Sequence, residues 1–443
     1  MGDVTMALAT RYFGVSNGEL RVGGVGICAL AEKYGTPTFV YDKGVMDRKL
    51  GALRAALPPR FSISYSVKAN PNLSVIRHLL ARGCGLEIAS AGEFQLALQA
   101  GCDAQDVLFA GPGKSPAELE FVLSNAIGEI HLESVVEAKR VAEISCRLSV
   151  KANVAVRVNP AAEAEGGAMR MGGRPAPFGV DEEILDQVLD AILAESALRF
   201  RGIHIFAGTQ ILEADTLVSQ YRHGLAIARR AAQRSGTPLH TVDFGGGLGS
   251  PYFAHEKELD LDKVRTRLGA VFAEIESHPD FSGTHFLVEP GRFLVGEAGI
   301  YIARITDIKV SRGKKFLILD GGMNHHLAAS GNLGQAIKRN YPVALANKMD
   351  APDEEAVDVV GPLCTPLDTV ARNVTLPRAE IGDLVAIFQS GAYGRSASPL
   401  GFLSHPAPAE ILVGDGGDEL VAARGEITTF TLPQAPAMKG STR

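Results

Sequence analysis

The sequence is poor in cysteine: Cys28, Cys84, Cys102, Cys146 and Cys364 are the only five, with no CxxC pair and no zinc-like cysteine–histidine spacing. An odd, scattered set excludes a disulfide framework, points to a reducing compartment and gives no reason to expect a metal centre. A basic excess is also missing. The 44 Lys+Arg stand against 50 Asp+Glu for a formal charge of −6, which leaves no electrostatic footprint for nucleic acid or an anionic membrane. Apolar runs such as Val385–Phe388 are too short to span a bilayer. Residues 1–15 have no continuous apolar stretch, so no secretory signal is expected and a cytoplasmic setting is the default. What is present is 46% hydrophobic and 21% charged residues over 443 positions, the composition of a globular protein with a full core and room for two domains.

The 49 glycines punctuate short β-branched runs. From residue 60 these runs are Ile63–Val67, Leu86–Ala89, Val107–Ala110, Glu129–Leu132, Val154–Val158, Gly202–Phe206, Thr241–Phe244 and His285–Val288. Between most of them apolar residues recur three and four apart, as in Leu73–Ala81, Glu93–Ala100, Pro116–Ser124, Val135–Ile144, Glu182–Leu193, Thr216–Arg234 and Leu261–Glu276. Eight strands alternating with helices predict an α/β fold with a (β/α)8 barrel rather than an open doubly wound sheet.

After Gly299 the rhythm changes to strands separated by loops: Ile300–Val310, Lys315–Leu319, Leu384–Ser390 and Glu410–Val413. This predicts a mostly β domain, completed by the N-terminal strands Glu19–Gly23 and Phe39–Tyr41. The expected division is residues 1–42 joining the β-domain, 43–299 the barrel, 300–430 the β-domain and 431–443 a flexible tail. The glycine-rich stretch Gly166–Gly173 after the fifth strand reads as a mobile lid.

In such a barrel the chemistry lies at the C-terminal ends of the strands. Those ends carry Lys68, Ser90, Arg157, the run His204-Ile-Phe206 followed by Gly208-Thr-Gln210, Asp243-Phe-Gly-Gly-Gly-Leu-Gly249, and Glu289-Pro-Gly-Arg292. A triple glycine alone is as consistent with a tight turn as with anion binding. Gly245, Gly246 and Gly247 follow strand seven, however, and Arg292 follows strand eight, the two loops where barrels place phosphate. Lys68 follows an apolar run at the barrel mouth, where a desolvated lysine among cations becomes a carbonyl nucleophile. Glu289 is either an ion-pair partner for Arg292 or an anion able to keep a ring nitrogen protonated. A phosphate cup, an imine-forming lysine and an acid for a pyridine nitrogen together describe a pyridoxal 5'-phosphate site.

These residues carry a resemblance. The chain resembles the fold-type III pyridoxal phosphate decarboxylases that include diaminopimelate and ornithine decarboxylases, from about Gly18 to Val413. The matching motifs are Tyr65-Ser-Val-Lys-Ala-Asn-Pro-Asn72, Glu87-Ile-Ala-Ser-Ala-Gly-Glu93, Asp243-Phe-Gly-Gly-Gly-Leu-Gly249, Glu289-Pro-Gly-Arg292, Gly361-Pro-Leu-Cys364 and Gly391-Ala-Tyr-Gly394. The resemblance implies an alanine-racemase-like barrel with a β-domain and an obligate homodimer with shared active sites. Lys68 would carry the cofactor as an imine and Glu289 would face its pyridine nitrogen. Gly245, Gly246, Gly247, Gly291, Arg292 and Tyr393 would hold the phosphate. Arg157, His204, Phe206 and Thr209 would line the pocket. Cys364 would reach a neighbouring subunit's site and return a proton to Cα.

Three departures from that family bear on substrate. Phe206 stands where the family places a ring-stacking histidine. Thr365 follows Cys364 where the family usually has an acid for a distal amine. The segment Gly322-Met-Asn-His-His-Leu-Ala-Ala-Ser330 lacks the arginine and tyrosine that grip the distal carboxylate of diaminopimelate, and its His325-His326 pair reads as a polar loop. With Gly208-Thr-Gln210, Pro251-Tyr-Phe-Ala-His-Glu256 and His405-Pro406, these departures are most similar to a butirosin-type sub-branch acting on carrier-protein-linked glutamate. The expected activity is α-decarboxylation of a small-molecule or carrier-tethered amino acid without a free distal charge. Diaminopimelate decarboxylation is the alternative. A racemase would place an arginine rather than Glu289 at the ring nitrogen, and a non-catalytic cofactor carrier would be a lone barrel.

Overall fold

A computed structural model describes residues 3–161, 169–170, 175–206, 208–253, 256–275, 278–333, 338–352 and 354–426. The expected tail 431–443 lies outside these residues, as does the Gly166–Gly173 segment apart from the backbone of Met169–Arg170. The chain divides into two units, one of residues 1–42 with 298–443 and the other of residues 43–297.

The unit 43–297 is a closed barrel of eight parallel strands: β1 (Phe61–Ser66), β2 (Gly85–Ile88), β3 (Val107–Phe109), β4 (Glu129–Leu132), β5 (Ala152–Asn159), β6 (Leu198–Ile205), β7 (Thr241–Asp243) and β8 (His285–Val288). Each strand pairs with the next, and β8 pairs with β1 to close the ring. Helices follow where the sequence supplies a start signal. Ser90, Ser115 and Ser134 accept from the backbone N–H three residues on, at Glu93, Glu118 and Glu137. At Ser115 the bond is reciprocated by Glu118, with Pro116 in the first turn. These caps fix where each helix leaves the strand end, and hence where the intervening loop can carry function. Ser90 is accounted for by this capping role.

Helices cover the outside of the ring with apolar side chains. Tyr221 from Ala214–Ser235 stacks on Phe244 at 4.4 Å, and Phe272 from Leu261–Ile275 meets Phe286 edge-on at 4.8 Å. Such aromatic pairs add about 0.5–1.5 kcal/mol each beyond their area burial.

The second unit is mostly β. Its main sheet runs Thr369–Leu376, Glu355–Val360, Lys314–Leu319, Gly299–Ser311, Thr38–Asp42, Ala409–Gly414 and Gly417–Ala422. Thr38–Asp42 lies antiparallel to Gly299–Ser311 and parallel to Ala409–Gly414, so the N-terminal segment completes a C-terminal domain. Glu19–Val22 is in this unit but in a separate small sheet with Gly14–Ser16 and Val25–Gly26. No helix among the described residues is long and apolar enough to cross a membrane.

Candidate active site

Lys68 sits in a single 3-10 turn, Val67–Ala69, that ends β1. Its Nζ lies 3.2 Å from Glu87 Oε2 and 3.3 Å from Glu87 Oε1, with the side chain about half exposed. The lysine therefore faces a carboxylate, where the sequence led us to expect cations. Glu87 is itself held on β2 by the Ser66 hydroxyl, which donates to Oε2. The Lys68 turn abuts the loop after β8: a Cβ on Gly291 would sit 2.9 Å from the Ala69 Cβ.

Glu289, the first residue after β8, is buried and is not paired with Arg292. Arg292 Nη1 instead donates to the Tyr252 hydroxyl at 2.8 Å. Glu289 Oε2 is 3.2 Å from His204 Nε2, and donor atoms of His131, His204, Asp243 and Glu289 all lie within 4.8 Å of one another. Burial works against charge on Glu289, but His204, Asp243 and His131 outweigh it and hold its pKa below the ordinary carboxylate range. Asp243 goes the other way. Burial first, and then the neighbouring Glu289 charge, push its pKa well up. Two buried carboxyls this close share one negative charge, and that charge resides on Glu289.

The loop after β7 approaches its neighbours backbone to backbone. Gly245 and Gly247 have φ of 65° and 90°, which disfavour any side chain. A Cβ on Gly246 would lie 2.6 Å from the Glu289 carbonyl oxygen, and one on Gly247 2.7 Å from that of Gly208. At Gly245 a Cβ would lie 3.0 Å from the Phe206 ring and 3.3 Å from His204 Nε2. The glycines are thus required by packing as well as suited to an anion. The buried Arg157 guanidinium donates to Glu133 Oε1 at 2.8 Å and lies 5.0 Å from the Phe178 ring and 5.9 Å from Phe206.

The structure brings together Arg157, His204, Phe206, Gly245, Gly246 and Glu289, and places Lys68 beside Gly291. Thr209 lies on the short strand Gly208–Thr209, paired with Met169–Arg170. Cys364, whose thiol is exposed, and Tyr393, at φ 52°, belong to the other unit. His325 and His326 are buried in that unit rather than in a polar loop: His325 Nε2 lies 3.0 Å from the Pro406 carbonyl oxygen and His326 Nε2 2.9 Å from Ser390 Oγ. Sequence reasoning missed Glu87 as the lysine's partner, Glu133 as the arginine's, and His131. A signal was available, because Glu129 and His131 alternate along β4 and Glu133 follows directly after it in the same period of two.

The residues fit a pyridoxal phosphate. Glu289 Oε1, His204 Nε2 and Asp243 Oδ2 are buried without an aligned hydrogen-bond partner among the described residues, and a buried anion of this kind calls for a cationic or donor group. A lysine stands at the mouth, and the glycine loop leaves space only in the absence of Cβ atoms.

Fold and site define the class: a barrel enzyme built to use an aldehyde cofactor with a protonatable ring. The family model for pyridoxal-dependent decarboxylases, pyridoxal binding domain, matches residues 43–296. The chain belongs to that family and is a pyridoxal-phosphate-dependent carboxy-lyase. It is 38% identical to the L-glutamyl-BtrI-acyl-carrier-protein decarboxylase of Niallia circulans, over 90% of this chain and 94% of the relative. Identity to the diaminopimelate decarboxylase of Methanothermobacter thermautotrophicus is 32%, over 92% and 93%. Among solved structures, diaminopimelate decarboxylase from Helicobacter pylori complexed with L-lysine superposes with a TM-score of 0.78 at 28% identity, covering 90% of this chain and 97% of that one.

Proposed function

We propose that the chain α-decarboxylates an amino acid whose distal group is masked, with glutamate linked to an acyl carrier protein as the substrate, in a biosynthetic pathway. One observation carries this reading. The segment 322–330, where the family grips a distal carboxylate, carries neither that arginine nor that tyrosine, and its two histidines are buried against Pro406 and Ser390, with burial lowering their pKa values. Thr365, in place of an acid, accepts from the Leu367 backbone N–H through its hydroxyl at 3.3 Å. Both counterions that the family offers a free diamino diacid are thus missing from these positions, and an uncompensated charge is costly to desolvate.

Lys68 is the residue to carry the cofactor, with Glu87 orienting its amine. Gly245, Gly246, Gly247, Gly291, Arg292 and Tyr393 would receive the phosphate, and Arg157, His204, Phe206 and Thr209 would border the pocket. When bound, pyridoxal phosphate supplies a cationic ring that accepts the electron pair left at Cα as CO2 departs. Glu289 holds the proton on the ring nitrogen. Phe206 offers an apolar ring face with no titrating group. Cys364 returns a proton to Cα across the interface of a homodimer, in the cytoplasm.

The test is CO2 release from glutamyl-acyl-carrier-protein against free meso-diaminopimelate. Turnover of the tethered substrate with little of the free diacid is expected. The reverse pattern would replace this proposal with the diaminopimelate reading.

A further inference from the structure

Cys364 belongs to a hairpin loop of the β unit. Glu355–Val360 and Thr369–Leu376 pair antiparallel with Val360 opposite Thr369, so residues 361–368 are the connection between them. The connection is far longer than a tight turn, and a loop of that length keeps one shape only where its backbone is tied down. Cys364, Pro366 and Leu367 are exposed, whereas Leu363 and Asp368 are buried.

Asp368 ties the loop at two points. Its Oδ2 accepts from the Leu363 backbone N–H at 2.8 Å, within the loop, and its Oδ1 accepts from the Met323 N–H at 2.7 Å, on another segment. Lys314–Leu319 runs parallel to Glu355–Val360 with Ile318 beside Val360, so the turn that follows it emerges next to the loop. The carboxylate fills that junction, and a Cβ on either Gly322 or Gly361 would collide with it. The Asp368 carbonyl oxygen also accepts from the Gly361 N–H at 3.1 Å, closing the loop at its base. Asn332 makes a second tie nearer solvent. Its Nδ2 donates to the Leu367 carbonyl oxygen at 3.3 Å and to Ser330 Oγ at 2.6 Å.

An apolar side chain would fill the junction at a smaller cost, since a buried carboxylate gives up its hydration. The carboxylate adds direction: charge-assisted bonds hold two N–H groups on separate segments in one register. Burial raises the pKa of Asp368, and both N–H donors oppose that rise by favouring the ionised form. The segments so joined are 322–330 and the loop of Cys364 and Thr365, the two that set this chain apart in substrate.

We propose that Asp368 is a positioning residue for the return of a proton to Cα: it fixes the Cys364 loop against the 322–330 segment, and with it the place of the thiol. The inference rests on the reading of Cys364 as the proton donor.

The experiment compares Asp368→Asn, Cys364→Ala and the double variant as full-length holoenzymes, measuring CO2 and amine product together. Asparagine keeps the shape of the side chain, but its NH2 faces one of the two backbone N–H groups, so one tie is lost. Hydrogen exchange in peptides spanning 322–330 and 361–368 should quicken. In Asp368→Asn kcat should fall about 10- to 100-fold with KM within about twofold. Amine formed per CO2 should drop below one, as in Cys364→Ala, the balance appearing as an aldehyde after hydrolysis, with the amino group left on the cofactor. The double variant should be no slower than Cys364→Ala, because a residue that acts through the thiol has nothing left to position. Should Asp368→Asn not fold, Asn332→Ala loosens the same loop from its outer side and should lower the amine yield in the same direction; a full yield there would overturn the proposal. Normal kcat and yield in Asp368→Asn, unchanged exchange, or additive losses in the double variant would also overturn it. Normal turnover and yield in Cys364→Ala would overturn the reading of the thiol, and the proposal with it, even where exchange shows that Asp368 ties the loop.

Discussion

Glu289→Gln isolates the electrostatic part of the mechanism, because the amide keeps the shape of the side chain and removes only its charge. The carboxylate is 5% exposed and ionised in its cluster, with Asp243 neutral beside it. An anion against a buried cation raises that cation's pKa by about one to three units, a factor of about 10 to 1,000 in the protonated population. If the protonated ring is the species that accepts electrons from Cα, kcat should fall by that same factor of about 10 to 1,000. Occupancy should be preserved, since Lys68 and the glycine loop are untouched. The assay is single-turnover CO2 release normalised to bound cofactor, the latter measured by absorbance of the released aldehyde. A kcat within about twofold of the original at full occupancy would refute the assignment, since the weakest effect allowed by this reasoning is about tenfold.

Three further outcomes follow from the packing. Lys114 Nζ is buried, 2.7 Å from the Gly111 and His131 carbonyl oxygens and 2.9 Å from Glu137 Oε1. Lys114→Met strands a buried carboxylate and should lower stability by about 3–5 kcal/mol in urea denaturation; a loss below about 1 kcal/mol would show that water reaches Glu137. Gly246→Ala drives a Cβ against the Glu289 carbonyl, so overpacking of about 1–3 kcal/mol is expected, with weakened cofactor retention on dialysis. Unchanged stability and retention would mean that the loop is free to shift. His326 has its pKa pushed by burial from 6.5 to about 3. Between those values the unfolded chain binds the extra proton, so this residue makes stability rise with pH there by up to about 1.4 kcal/mol per pH unit, lost again as pH falls. His326→Asn should flatten the pH dependence of the urea midpoint between pH 7 and 5, and an unaltered slope would contradict the buried neutral imidazole.

The barrel was legible because each strand is a short β-branched run ended by a polar or glycine residue and followed by a helical repeat. The register of its helices was set by serine caps that the repeat alone understates: the helix predicted from Glu93 begins at Ala91, immediately after Ser90. The second unit was harder to read. Glu355–Val360 and Thr369–Leu376 were overlooked, since their partly exposed, mixed polar faces hide the period of two. Val343–Leu345, only three residues long, gives no periodicity at all.

At the site, Lys68, Gly245–Gly247 and Glu289 were found because strand ends and glycine runs are visible in one dimension. What surrounds them was not. The Lys68–Glu87 contact joins adjacent strands at a register that only the closed sheet reveals. His131 resembles any core position until the barrel turns it onto His204. The interior of a barrel is where side chains distant in sequence converge, and pairings there follow from closure rather than from local pattern.

The chemistry of this enzyme depends on the amine at position 68. Borohydride reduction of the holoenzyme, followed by proteolysis and mass spectrometry, should place one pyridoxyl group per chain on the peptide containing Lys68 and none on the Lys68→Ala protein. A label on another lysine, or no label in an enzyme that still releases CO2, would contradict it.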